Sequence, residues 1–218
     1  MATWLAHLRI AHKLIPLLTE TDFKAFIVGS IAPDCGVLTN TREFDPPVSV
    51  THFSEDGLKQ SINSERFFSF YLSNPISNEA GSFYLGYYIH LLTDILWTEA
   101  VALPNVEIYH EKYEKDKYFI DVVKKDWYDQ DRLYLRTNPD CYELNYLKTI
   151  GDFENKFLDF YSKDAFMSQI KVITDFYNGN NESLEREYIY LTCGQMDSFI
   201  ESTYGYIVDD LKKKKIIR

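Results

Sequence analysis

A histidine and an aspartate four residues apart interrupt the apolar run Phe83-Tyr-Leu-Gly-Tyr-Tyr-Ile-His90-Leu-Leu-Thr-Asp94. At ~3.6 residues per turn, both side chains project from one helical face. That face continues through Phe83, Tyr87, Trp97 and Val101, so two ionisable groups sit in a stripe suited to a core. Burying them without partners is costly. Two arrangements relieve the cost: an imidazole–carboxylate hydrogen bond, or joint ligation of a divalent metal whose charge offsets desolvation of the acid.

The other scarce residues favour the metal. The chain has 5 His; His7 stands in Trp4-Leu-Ala-His7-Leu-Arg-Ile-Ala11 and His52 in Thr51-His52-Phe53. Between them, Ile27-Val-Gly29-Ser-Ile-Ala-Pro33-Asp34 reads as a helix that stops at a glycine and a turn that proline stiffens, holding Asp34 on a short loop. In the first helix His7, Ala11, Leu14 and Leu18 share a face, whereas His12 lies roughly 140° from His7. Only His7 points with the core stripe.

In this order and context, the pieces resemble the bacterial zinc-dependent phospholipases C and their relatives, the single-strand-specific zinc nucleases. The resemblance rests on His7-Leu-x-Ile, Asp34 after a short helix, His52 in a loop, and Phe83-Tyr-Leu-Gly followed by His90-x-x-x-Asp94. It spans roughly the first half of the chain and implies an all-α multi-helix bundle, one or two zinc ions, and hydrolysis of a small-molecule or lipid phosphate ester. Asp34, His52, His90 and Asp94 would ligate the first zinc, and His7 with a bridging Asp94 would contribute to its neighbour. Asp34 and Asp94 would be the catalytic carboxylates, with Asp34 orienting or deprotonating the attacking water.

Two departures stand out. In the phospholipases the amine of a processed N-terminal Trp completes one zinc shell, but Trp4 here follows Met1-Ala2-Thr3, so that ligand is expected to be absent. The family also places a histidine six residues beyond the helix aspartate, where this chain has Ala100. His110 and Glu114 form another pair four apart, but a solvated charged helix accounts for them. Asp126, Asp129 and Asp131 lack the glycine and late glutamate of an EF-hand loop, and capping of a helix after Tyr128 accounts for Asp129. The rival function is a metal-stabilised binding module that keeps the scaffold without the chemistry. A His-Asp type phosphohydrolase is disfavoured, because no His-Asp dipeptide occurs.

With 218 residues and 45% hydrophobic content, the chain can bury a sizeable core, and one domain over residues 1–218 is expected. No apolar run reaches ~18 residues. The N-terminal helix carries Arg9 and two histidines and has no small-residue cleavage motif, so it does not read as a signal peptide. Cys35, Cys141 and Cys193 are odd in number and widely spaced, which suits reduced thiols and a cytoplasmic setting. The net charge of −10 repels polyanions and argues against nucleic acid as a partner. Lys212 to Lys215 complement the dipole at the end of the last helix.

Periodicity predicts helices over residues 3–18, 22–30, 57–73, 79–103, 107–126, 129–136, 142–149, 153–161, 164–177 and 182–213, with a surface loop over 36–51. Gly86, one turn before His90, leaves room for a second helix to approach. Most aromatics read as core, including Phe153, Phe157, Phe160 and Tyr161; Tyr87 and Trp97 flank the candidate ligands and either line a cleft or pack behind it.

Overall fold

The computed structural model describes residues 1–41, 43–74, 78–179 and 183–218. Its architecture is α-helical, as the sequence predicts. Helix α5 (Glu79–Trp97) is apolar on almost every side. Such a helix has to be enclosed, and α1 (Trp4–Leu14), α2 (Phe23–Gly29), α4 (Ser64–Tyr71) and α11 (Cys193–Lys213) pack against it. The starts of α1, α2 and α5 are fixed by Thr3, Asp22 and Asn78, whose side chains accept the amides of Ala6, Ala25 and Gly81.

The closest approach is between α2 and α5. A Cβ built on Gly29 would lie 2.0 Å from the carbonyl oxygen of Phe83, and one on Gly86 would lie 2.1 Å from that of Phe26. Only glycine permits backbones to touch in this way. The crossing brings Ser30, at the C-terminal end of α2, over His90. Beyond it, Ala32–Asp34 forms one 3-10 turn containing Pro33, and the Tyr161 hydroxyl donates to the Pro33 carbonyl at 3.1 Å. The segment over 36–51 includes a short antiparallel hairpin, β1 (Val37–Leu38) against β2 (Phe44–Asp45), with Val37 opposite Asp45. The single turn α3 (Val48–Thr51) then delivers His52.

Several predicted boundaries move, each for a local reason. Helix α4 begins at Ser64 because Asn63 caps it, and residues 53–63 instead form a loop closed by the Ser54–Ile62 bridge. The helix predicted over 79–103 widens into a π turn at Thr98–Ala102 before α6 (Leu103–Ile108), near Pro104, which has no amide hydrogen to donate. After α7 (His110–Lys115), the Asp116 carboxylate accepts the Tyr118 amide at 2.8 Å, and α8 then runs unbroken over Phe119–Thr137. Asp129 is therefore inside a helix and is not a cap.

Helix α9 (Tyr142–Thr149) and helix α10 (Ala165–Asn178) lie close to prediction, but residues 153–161 between them are not helical. There the Asn155 side chain accepts the amides of Phe157 and Leu158 and donates to the carbonyls of Leu158 and Tyr161, satisfying the groups a helix would have paired. The last helix begins at Cys193, behind a Thr192/Gln195 capping box, and not near 182, a residue outside those described. The Asp126 carboxylate takes the amides of Ile189 and Tyr190, so the preceding strap is pinned to α8.

Candidate metal centre

Five side chains from several stretches of chain converge beside α5: His7 of α1, Asp34 of the 3-10 turn, His52 after α3, and His90 and Asp94 of α5. All are buried. One ligand atom from each of Asp34, His52 and His90 can be chosen so that all three lie within 4.8 Å of one another, and the same holds for His7, His90 and Asp94. Asp94 stands between the two groups. Its Oδ1 is 3.4 Å from His7 Nε2 and accepts the Ala2 amide at 2.8 Å, while its Oδ2 is 3.4 Å from His52 Nε2 and 3.8 Å from His90 Nε2. Asp34 Oδ1 lies 3.4 Å from His52 Nε2 and 3.8 Å from His90 Nε2.

The surroundings fix which ring nitrogens of His90 and His52 face the cluster. His90 Nδ1 lies 2.8 Å from the Ser30 carbonyl, which can only accept, so Nδ1 carries the proton and Nε2 presents a bare lone pair. Burial, foremost, and neighbouring His7 hold the His90 imidazole well below its usual pKa, which keeps it neutral. His52 Nδ1 pairs with Thr51 Oγ1 at 2.8 Å, turning Nε2 inward; the Thr51 carbonyl in turn accepts from the Tyr87 hydroxyl. The His7 and His90 rings stack in parallel with centroids 3.7 Å apart. Burial opposes ionisation of Asp34 and Asp94, but positive neighbours, Lys59 first among them, hold both carboxyls below the usual carboxylate range.

The donor set fits a metal. Both nitrogens of His7, both oxygens of Asp34 and Nε2 of His90 are buried without a hydrogen-bond partner. Such groups are seldom left unpaired, and neutral imidazoles with ionised carboxylates are the ligands zinc takes.

The remaining candidates fall elsewhere. His12 is partly exposed, 3.2 Å from Glu143, and stacked on Tyr142. His110 and Glu114 lie on the outward-facing helix α7, away from the buried cluster. Asp126 and Asp129 are taken up by Arg186, and Asp131 by the hydroxyls of Thr3 and Tyr177. Ala100 is exposed on the wall of a different groove, with Asn105 and Tyr190. Tyr87 and Trp97 are fully buried, Trp97 against Trp127 and Phe199, so neither lines a cleft.

Two lysines escaped the sequence reading. Lys59 places Nζ 2.5 Å from Asp94 Oδ2 and 2.7 Å from His52 Nε2. Lys124 of α8 lines the adjoining cleft with Asp34, its ammonium pKa lowered by burial and then by Lys59. A lysine in a polar stretch reads as solvated, so nothing in the sequence marked either one.

A family model described as zinc dependent phospholipase C matches residues 6–172, well over half of the chain. The chain belongs to that family. No curated protein matches it, and no solved structure does. The match extends past the half that carries the resemblance, through α8 and into α10. Zinc is the family's cofactor, and the buried His/Asp groups described above are able to hold metal ions.

The two N-terminal histidines can be separated by experiment. His7→Ala is expected to lower zinc content after reconstitution, while His12→Ala leaves it unchanged. Elemental analysis of both variants decides this, and equal losses would count against His7 as a ligand.

Proposed function

We propose that this chain is a zinc-dependent phosphoric ester hydrolase in which Asp34, His52, His90 and Asp94 hold one zinc, and His7 with Asp94 contributes to a second. The observation that carries the reading is the set of buried, partnerless ligand atoms of His7, Asp34 and His90, of which Asp34 lines a cleft of about 800 Å³ together with Lys124, Tyr128, Val37, Leu38 and Val172. Mixed imidazole and carboxylate ligation beside an open cleft suits a catalytic site better than a closed structural one.

When bound, zinc acidifies water to a pKa of ~7 and offsets charge growing on phosphoryl oxygens. The protein's own groups do the rest. Asp34, ionised and facing the cleft, accepts the proton of the attacking water at a carboxylate oxygen. Ser30 and Thr51 fix the orientation of His90 and His52, so the ligand atoms need little rearrangement. Lys124 reaches the same space and draws phosphoryl oxygens toward it by charge. The exposed apolar side chains of Val37, Leu38 and Val172 receive the organic part of the ester.

The substrate is then a small-molecule or lipid phosphate ester and not a nucleic acid, in line with the net charge of −10. Three free cysteines support a cytoplasmic setting. Among the described residues, no helix is long and apolar enough to cross a membrane.

Metal counting combined with an ester-hydrolysis assay tests the reading. Zinc-reconstituted protein is expected to hydrolyse a chromogenic, nucleotide or lipid phosphate ester, to lose that activity with a chelator and to regain it with zinc. Fully metallated protein that hydrolyses none of these would instead be a metal-stabilised binding module.

A further inference from the structure

Lys59 sits where a metal would have to sit. Its ammonium is 2.5 Å from Asp94 Oδ2, 2.7 Å from His52 Nε2 and 3.5 Å from Asp34 Oδ1, three of the four ligands assigned above to the first zinc. Two cations cannot share that position at these distances. Without a positive charge there, two buried carboxylates, Asp34 and Asp94, would have no cation between them, an arrangement that is costly to leave uncompensated.

The lysine is delivered by a discrete unit. The loop over 53–63 is closed on itself by the Ser54–Ile62 bridge and by the Ser54 hydroxyl, which contacts the Leu58 carbonyl at 2.6 Å and the Ser61 hydroxyl at 2.7 Å. None of these bonds involves the Lys59 side chain, so that side chain can leave without unmaking the loop. It is already 17% exposed, and its flexible four-carbon stem gives it a way out to solvent.

We propose that Lys59 is the internal counter-ion of the metal site: its ammonium occupies the ligand focus in the metal-free protein, keeps Asp34, His52 and Asp94 assembled, and is displaced when zinc binds. The inference rests on the metal reading of the site. Lys59 is a positioning residue, and the energy of its contacts is subtracted from the apparent zinc affinity because metal and ammonium compete for the same oxygens and nitrogen.

The test compares wild-type protein with Lys59→Met and Lys59→Gln by chelator competition for zinc and by thermal melts with and without the metal. Both variants are expected to bind zinc about tenfold more tightly or more, the equilibrium equivalent of roughly one charge-assisted hydrogen bond. Their metal-free melting temperatures should fall, while the zinc-loaded ones stay near wild type. A merely structural lysine would give the opposite sign, since losing it would weaken metal binding. Equal or weaker zinc affinity in both variants overturns the proposal and leaves the metal site standing. If wild type and both variants all take up no zinc, the proposal and the metal reading fail together.

Discussion

Asp94→Asn is expected to produce the largest functional loss of any single substitution in the chain, because its two oxygens serve two different ligand groups. Oδ1 faces His7 and Oδ2 faces His52 and His90. The amide keeps the shape but removes the negative charge from both sides at once. Loss of even an outer partner of a metal ligand costs ~10–100-fold, so hydrolysis should fall by at least about a hundredfold, with reduced zinc content. Excess zinc would restore a pure affinity defect but not the charge lost from the site. His110→Ala, on the outward-facing helix α7, should leave both measurements at the wild-type level. Comparable losses from the two variants would remove Asp94 from the centre of the mechanism.

The second large effect belongs to Gly86. An added methyl group would meet the Phe26 carbonyl at 2.1 Å and the Ser30 amide at 2.8 Å, both backbone atoms that no rotamer change can move aside. Gly86→Ala should therefore destabilise the protein by about 3 kcal/mol or more, lowering Tm by roughly 6–12 °C for a chain of this size. Because the same crossing holds the Ser30 carbonyl against His90 Nδ1, zinc affinity should fall as well. Gly205→Ala, in α11 with nothing within 4 Å, is the control. It should be neutral or stabilise by up to about 1 kcal/mol, following helix propensity. Equal melting temperatures for the two variants would mean that the crossing is looser than its distances indicate.

The site was more legible than the boundaries. Helical phase alone separated His7 from His12, because burial follows the 3.6-residue period, and Gly86, one turn before His90, pointed to the approach of a second helix, which is α2. The aromatic spacing of Phe153, Phe157, Phe160 and Tyr161 mimicked a helix and failed. Those rings do pack inward, Phe157 stacking on Phe83 at 4.4 Å, but the backbone bonds go to Asn155. Periodicity reports which side chains are buried, and here burial and helicity part company. Thr192-Cys-Gly-Gln195 shows the reverse case, a local capping signal that would have fixed the start of α11. The pairings of Lys59 with Asp94 and of Asp126 with Arg186 had no sequence signal, because the partners lie 35 and 60 residues apart.

The π turn at Thr98–Ala102 decides what a side chain at position 100 can reach. Position 100, where the resemblance expects a histidine, sits inside that turn and faces the groove shared with Asn105 and Tyr190. A π turn carries one residue more than an α turn and so shifts the register of the helix beyond it. Mutating Ala100 to histidine would therefore put an imidazole into that groove and not beside Asp94. Moving a side chain at position 100 toward the buried cluster would take a change of helix register as well as a substitution.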